Sequence, residues 1–107
     1  MTRNVPGAGV GEIMVDTVHV RAFARFRELF GDALEVRVKV PATVRSVVQE
    51  IARMNPDGAH EILDGEGNLR KSVIVLVNRE RIPGNGREDY PVHPGDEIAL
   101  YPPVAGG

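Results

Sequence analysis

Residues 43–54 place the tightest limit on what this chain can fold into. Val44, Val47, Val48, Ile51 and Ala52 recur at i, i+3, i+4, i+7 and i+8. That spacing puts five apolar side chains on one stripe of a single helix. Thr43 stands where an N-cap belongs, and Asn55-Pro56 stops the helix near Met54. Arg45, Gln49, Glu50 and Arg53 fall on the wet face. Stretches of period-two alternation lie on either side of this helix. A single apolar stripe has to be covered by something, and here the partner available is a sheet. The prediction is an α+β domain: a mixed sheet with one main helix packed on one face.

The strands can be read in turn. Val18, Val20 and Ala22 alternate with His19, Arg21 and Phe23, which marks a half-buried strand over 17–23. Phe23 is the exception, a large aromatic on the polar side. Either a helix end covers it or it belongs to a partner-binding surface. Residues 24–30 read as a short helix closed by Gly31, with Phe26, Leu29 and Phe30 available to pack inward. Leu34, Val36, Val38 and Val40 then oppose Glu35, Arg37 and Lys39 until Pro41, so the first two strands are expected to pair antiparallel. Residues 59–71 carry the turn sequence Asp64-Gly65-Glu66-Gly67-Asn68 and read as a surface excursion. Val73 to Val77 is continuously apolar, as in a strand covered on both faces or lying in the sheet centre. Arg81-Ile82 suggests a brief edge strand. Pro94-Gly95 suits the centre of a type II turn before a last strand, 97–101. A long helix between strands permits a parallel pairing within the sheet.

The domain is expected to span 17–101, after an N-terminal extension (1–16) whose Gly7, Gly9, Gly11 and Pro6 show little periodicity. Met14 is an alternative start. With 107 residues this is one domain. A net charge of −2 with no Lys/Arg run argues against a nucleic-acid footprint. No apolar run approaches membrane-spanning length, and no secretory signal stands at the N-terminus. The absence of cysteine removes disulfides, thiolate metal sites and a thiol nucleophile, and is compatible with a cytoplasmic address. There are 11 Arg against two Lys, Lys39 and Lys71, a skew without a physical account at this level. His19, His60 and His93 lack metal-ligand spacing. Asp64, Glu66, Asp96 and Glu97 sit in turns, where short carboxylates are common. Arg21, Arg25, Arg27, Arg79 and Arg81 are either a partner-facing patch or, by default, a solvated surface. No metal site and no internal catalytic constellation is expected.

Chemistry is left to residues 102–107, Pro102-Pro103-Val104-Ala105-Gly106-Gly107. Prolines lack the N–H that a ladder needs, so Pro102 and Pro103 should end the last strand and stiffen the backbone as it leaves the sheet. Gly106 and Gly107 have no Cβ and suit a backbone lying closely against another surface. The result is an arm with a carboxylate at its narrow tip.

The run Asp96-Glu97-Ile98-Ala99-Leu100-Tyr101-Pro102-Pro103-Val104-Ala105-Gly106-Gly107 resembles the C-terminal signature of the MoaD/ThiS family of ubiquitin-like sulfur carriers. The resemblance covers about Val18 to Gly107 and implies the ubiquitin-like β-grasp fold, in agreement with the element order. It implies that an ATP-dependent, MoeB-like activating enzyme adenylates Gly107 and that a sulfur donor displaces AMP, leaving a thiocarboxylate. Pro102, Pro103, Val104, Ala105 and Gly106 then form the docking arm, and Phe23 and Tyr101 become a possible partner surface. The protein itself needs no bound cofactor, because ATP is used by the activating partner.

The implied client is the large subunit of molybdopterin synthase. Alternatives are conjugation to target-protein lysines through Gly107, or sulfur delivery to tRNA thiolation or cysteine synthesis. Residues 63–70 look more like the archaeal small modifier proteins and the cysteine-synthesis carriers, although the latter tend to have Ala where this chain has Pro103. A plain interaction module with an incidental tail is the reading outside the family.

Overall fold

The computed structural model describes residues 14–84 and 86–103. Strand β1 (Val15–Ala22) is followed by a short helix α1 (Arg25–Phe30), then β2 (Ala33–Lys39) and a two-residue β3 (Ala42–Thr43). The main helix α2 (Val44–Met54) runs into a 3-10 turn, Pro56–Glu61. Then come β4 (Ile74–Val77), β5 (Glu80–Arg81), a 3-10 turn at Arg87–Asp89, β6 (Pro91–Val92) and β7 (Glu97–Tyr101).

Five strands form one mixed sheet in the order β2-β1-β7-β4-β5. β1 pairs antiparallel with β2 and parallel with β7, and β7 pairs antiparallel with β4. The last strand of the chain is therefore the central strand of the sheet. β3 and β6 make a separate two-stranded ladder at its margin.

Helix α2 forms as its periodicity requires. The Thr43 side chain accepts the Ser46 N–H while the Ser46 hydroxyl accepts the Thr43 N–H, a reciprocal cap. Val44, Val47, Val48, Ile51 and Ala52 are all buried, and they face Val18, Val20, Val36, Val38, Val75, Val77, Ile98 and Leu100 of the sheet. Each larger side chain so buried contributes about 1.5–3 kcal/mol. Of the three α1 residues expected to pack inward, Phe26 is fully buried, while Leu29 and Phe30 are only partly so.

Four expectations need correction. β1 begins at Val15, so Val15 and Asp16 belong to the sheet and not to the N-terminal extension; they pair with Lys39 and Val38. Residues 1–13, the rest of that extension, lie outside the described residues. Residues 59–71 are more than a surface excursion, because Ile62 and Leu69 are buried in the core and Leu63 bridges Leu69. Isolated apolar residues in a turn-rich stretch carry no periodic signal, so sequence could not assign them inward. Of the two readings of β4, cover on both faces is overturned, because Val75 and Val77 are buried whereas Ile74 and Leu76 are half-exposed on the face opposite α2; an interior place holds, with β4 between β7 and β5. The brief edge strand lies at Glu80–Arg81, one residue earlier than expected. Asn78 and Arg79, both at positive φ (50° and 72°), make the two-residue turn that sets this register.

The β1–β7–β4 register is pinned at this same end by the loop before β7. Gly95, at φ 82°, sits third in a turn closed by the Asp96 N–H donating to the His93 carbonyl at 3.0 Å, as the Pro94-Gly95 pair predicts. Asp96 accepts the His93 N–H at 2.7 Å and the Asn78 amide at 3.1 Å. Asn78 in turn accepts the Glu97 N–H at 3.0 Å. Burial works against the Asp96 charge, but the His93 N–H, the Asn78 amide and the nearby His93 ring outweigh it and hold the carboxyl below its usual range.

A depressed folded-state pKa adds stability above the unfolded-state value, and that stability disappears as pH falls through the folded-state value. Asp96→Ala is therefore expected to cost about 1–2 kcal/mol at neutral pH. The gap between wild type and variant should close as pH drops below about 4. Urea unfolding at a series of pH values measures both.

Candidate functional site: the tail root and outer sheet face

Because side chains alternate along each strand, the sheet has an inner face under α2 and an outer face with no covering element among the described residues. The outer face can be read in rows from the strand register. One row runs Glu35, His19, Glu97. The next runs Arg21, Ala99, Leu76, Arg81. The last, at the end of the sheet where β7 finishes, brings Tyr101 beside Ile74.

Phe23 joins this last row. Its ring stacks on Tyr101 with centroids 4.3 Å apart and planes parallel. Of the two readings open for Phe23, no helix end covers it; the Tyr101 ring does, and both residues stay half-buried. Two backbone features hold Phe23 there. Its N–H donates to the Leu100 carbonyl at 3.2 Å, extending the parallel ladder one residue beyond β1. Ala24 then adopts φ 53°, ψ −128°, a conformation normally left to glycine, and turns the chain away into α1. The Arg21 guanidinium lies 5.4 Å from the Phe23 ring centroid, within cation–π range.

β7 ends at Tyr101, with Pro102 half-exposed and Pro103 exposed. The ladder stops where the prolines remove the donors. The expected docking residues Val104, Ala105 and Gly106, and the expected reactive Gly107, lie outside the described residues. Their root is nonetheless placed: the arm leaves the central strand beside an apolar surface built from Phe23, Tyr101, Ile74, Leu76 and Ala99.

Phe23→Ala is expected to lower the unfolding free energy by about 1–2 kcal/mol, from the lost stack and partial burial. That is less than the roughly 3–5 kcal/mol expected for Phe26→Ala, whose ring is fully buried. Urea unfolding of the two variants compares them directly.

The other candidate residues do not converge. His19, His60 and His93 stand apart, each near a carboxylate: Glu35 at 4.0 Å, Glu61 at 3.9 Å and Asp96 at 3.7 Å. Among the described residues no three potential ligands cluster to hold a metal ion. Asp64 accepts the Asn68 and Glu66 N–H groups, which hold its carboxyl below the usual range and close its turn. The five arginines split. Arg25 pairs with Glu61 and Glu28 at 3.0 and 3.1 Å, and Arg79 lies 4.0 Å from Glu97. Arg21 and Arg81 share the outer face, and Arg27 is exposed on α1. A groove of roughly 730 Å³ is lined by Val15, Arg37, Lys39 and α2 residues, at the opposite end of β1 from the tail root.

The sequence grouped Phe23 and Tyr101 as a possible partner surface but did not show their stacking, and it gave no sign of Ile74 and Leu76. The continuous apolar run of β4 hid which of its residues face outward.

A five-stranded mixed sheet with one helix across one face, its central strand running into a C-terminal arm, is the ubiquitin-like β-grasp fold. The ThiS family matches residues 20–107, and the chain belongs to it. It is 35% identical to the molybdopterin synthase sulfur carrier subunit of Escherichia coli, over 84% of this chain and 99% of that protein. It is 32% identical to small archaeal modifier protein 3 of Haloferax volcanii, over 84% of this chain and 98% of that protein. Among solved structures, the crystal structure of SAMP1 from Haloferax volcanii superposes with a TM-score of 0.74 at 28% identity, covering 85% of this chain and 99% of that one. The chain is thus a ubiquitin-like protein of the sulfur carrier and modifier type.

Proposed function

We propose that this protein is a sulfur carrier whose Gly107 is adenylated by an ATP-dependent, MoeB-like enzyme and converted to a thiocarboxylate. It then donates that sulfur as the small subunit of a molybdopterin synthase, whose large subunit is its second partner. The observation that carries this reading is the position of the tail root: a rigid central strand hands over to a proline-stiffened arm beside an uncovered apolar face. A carboxylate is a poor electrophile, and among the described residues no catalytic group stands near the arm to activate it. Activation is therefore assigned to the partner. Attack of the Gly107 carboxylate on the α-phosphorus of ATP expels pyrophosphate and makes a mixed anhydride. AMP is then a good leaving group, and a sulfur donor replaces it.

Gly106 and Gly107 lack the Cβ that would widen a tail entering a narrow channel. Pro102, Pro103, Val104 and Ala105 carry that tail, and Phe23 and Tyr101 anchor the docking face from which it departs. A reaction that depends on ATP and on the activating enzyme fits a cytoplasmic location. The protein acts as co-substrate and holds no cofactor of its own.

A second reading, conjugation of Gly107 to lysines of target proteins, is favoured by the 32% identity to a small archaeal modifier. Intact mass of the protein isolated from its host, without reducing agent or acid, separates them. A species heavier by the exchange of one oxygen for sulfur supports carriage. Unmodified protein together with covalent conjugates joined through Gly107 to target lysines supports modification.

A further inference from the structure

We propose that Arg21 and Arg81 select the partner that docks on the outer sheet face, a protein surface bearing an apolar strip flanked by two carboxylates. This rests on the carrier reading and narrows which surface the tail's partner presents.

The register sets the geometry. Arg21 pairs across to Ala99, Ala99 to Leu76, and Leu76 to Arg81, so one row of the outer face carries a cation at each end and apolar side chains between. Three strand spacings separate the two arginine backbones, about 14 Å. Ala99 is the smallest side chain of the row. The stacked Phe23 and Tyr101 rings stand beside this row, on the side where β7 ends.

The charges of this face are unevenly matched. In the neighbouring row Glu35 lies 4.0 Å from His19 and Glu97 lies 4.0 Å from Arg79. Arg25, Arg45 and Arg53 elsewhere each have a carboxylate within 4.0 Å. Among the described residues Arg21 and Arg81 have none, and neither does Arg37 farther along the same face; only Arg21 and Arg81 flank the apolar row. The Arg21 guanidinium instead lies over the Phe23 ring, 5.4 Å from its centroid. Two unmatched guanidinium groups bracketing an apolar strip, on a chain whose net charge is −2, fit a partner that supplies the missing carboxylates. A nucleic acid does not fit, because Glu35 and Glu97 in the adjacent row would oppose a phosphate backbone. Guanidinium forks also bind a carboxylate bidentately, so these positions set register as well as charge.

The test uses the full-length chain and the host's ATP-dependent adenylating enzyme as probe, with association followed by stopped flow across a range of salt concentrations. The Arg21→Glu/Arg81→Glu variant is expected to associate about tenfold more slowly at low salt, with a flattened salt dependence. Arg21→Lys/Arg81→Lys keeps the charge and should stay within about threefold of wild type. Removing Gly107 should leave the salt dependence unchanged, which separates docking from tail chemistry. If the glutamate variant melts early, Arg21→Gln and Arg81→Gln are read singly, with a slowing of about threefold expected from each. A glutamate variant that binds and is thiocarboxylated at the wild-type rate overturns this proposal alone. A wild-type chain that does not bind the enzyme at all overturns it together with the carrier reading.

Discussion

Deleting Gly107 is expected to abolish thiocarboxylate formation while moving the melting temperature by no more than about 3 °C. The two halves of that expectation come from different parts of the molecule. The last buried side chain among the described residues is Leu100, and the ladder ends one residue later at Tyr101. The core of α2 against β1, β2, β4 and β7 is complete before the arm begins. Deleting Gly107 therefore leaves the core of the described residues intact, and changes away from a core usually stay within about 0.5 kcal/mol.

On the proposed carrier reading the chemistry has no substitute position. Without Gly107 the carboxylate to be activated would fall one residue short, up to about 3.3 Å, of the activating enzyme's site. Intact mass after incubation with the activating enzyme, ATP and a sulfur donor reads the first half, and a thermal melt reads the second. Retained thiocarboxylation would show that Gly107 is not the reactive position. A large fall in melting temperature would show that the arm is structural.

Val48→Asp should do the reverse, unfolding most of the chain while leaving the tail chemically intact. Val48 is completely inaccessible on the inner stripe of α2, facing the sheet. The substitution loses about 1.5–3 kcal/mol of burial. It also leaves a carboxylate with no cation among the buried residues, which costs several kcal/mol more. Against a total stability of about 5–15 kcal/mol, that is enough to empty the native state of a small domain.

The penalty depends on pH in a definite direction. The buried carboxyl has a folded-state pKa raised above its unfolded value, so the destabilisation grows as pH rises through that interval and eases as pH falls toward the unfolded value. Far-UV circular dichroism should show helix lost at neutral pH and partly regained near about pH 4. Val48→Ala, which only opens a small cavity, should cost about 1–3 kcal/mol and stay folded. A Val48→Asp chain that melts like wild type would mean that α2 does not pack as described.

Much of this was legible along the chain. Helix α2, its Thr43 cap and the alternation of β1 and β2 depend on neighbours three, four or two residues away, so local spacing contains them. The Pro94-Gly95 turn and the stop at Pro102 are likewise backbone properties of single residues. The tail could be proposed as the site because Pro-Pro and Gly-Gly carry their constraints wherever they stand and because the run resembles the family's C-terminal signature.

The tertiary structure decided what touches what. Phe23 and Tyr101 are 78 residues apart in the chain, and only the parallel pairing of β1 with β7 makes them a stack. Ile62 and Leu69 lie in a stretch without periodicity and are buried only through contact with the distant strands and helix of the core. Ile74 and Leu76 look no different from Val75 and Val77 until pairing with β7 assigns the two faces. The row Arg21, Ala99, Leu76, Arg81 exists only through three separate strand registers. Period and cap are local quantities that a sequence carries in its own order. Register and face are set by burial between distant segments, and these exist only once the chain has closed on itself.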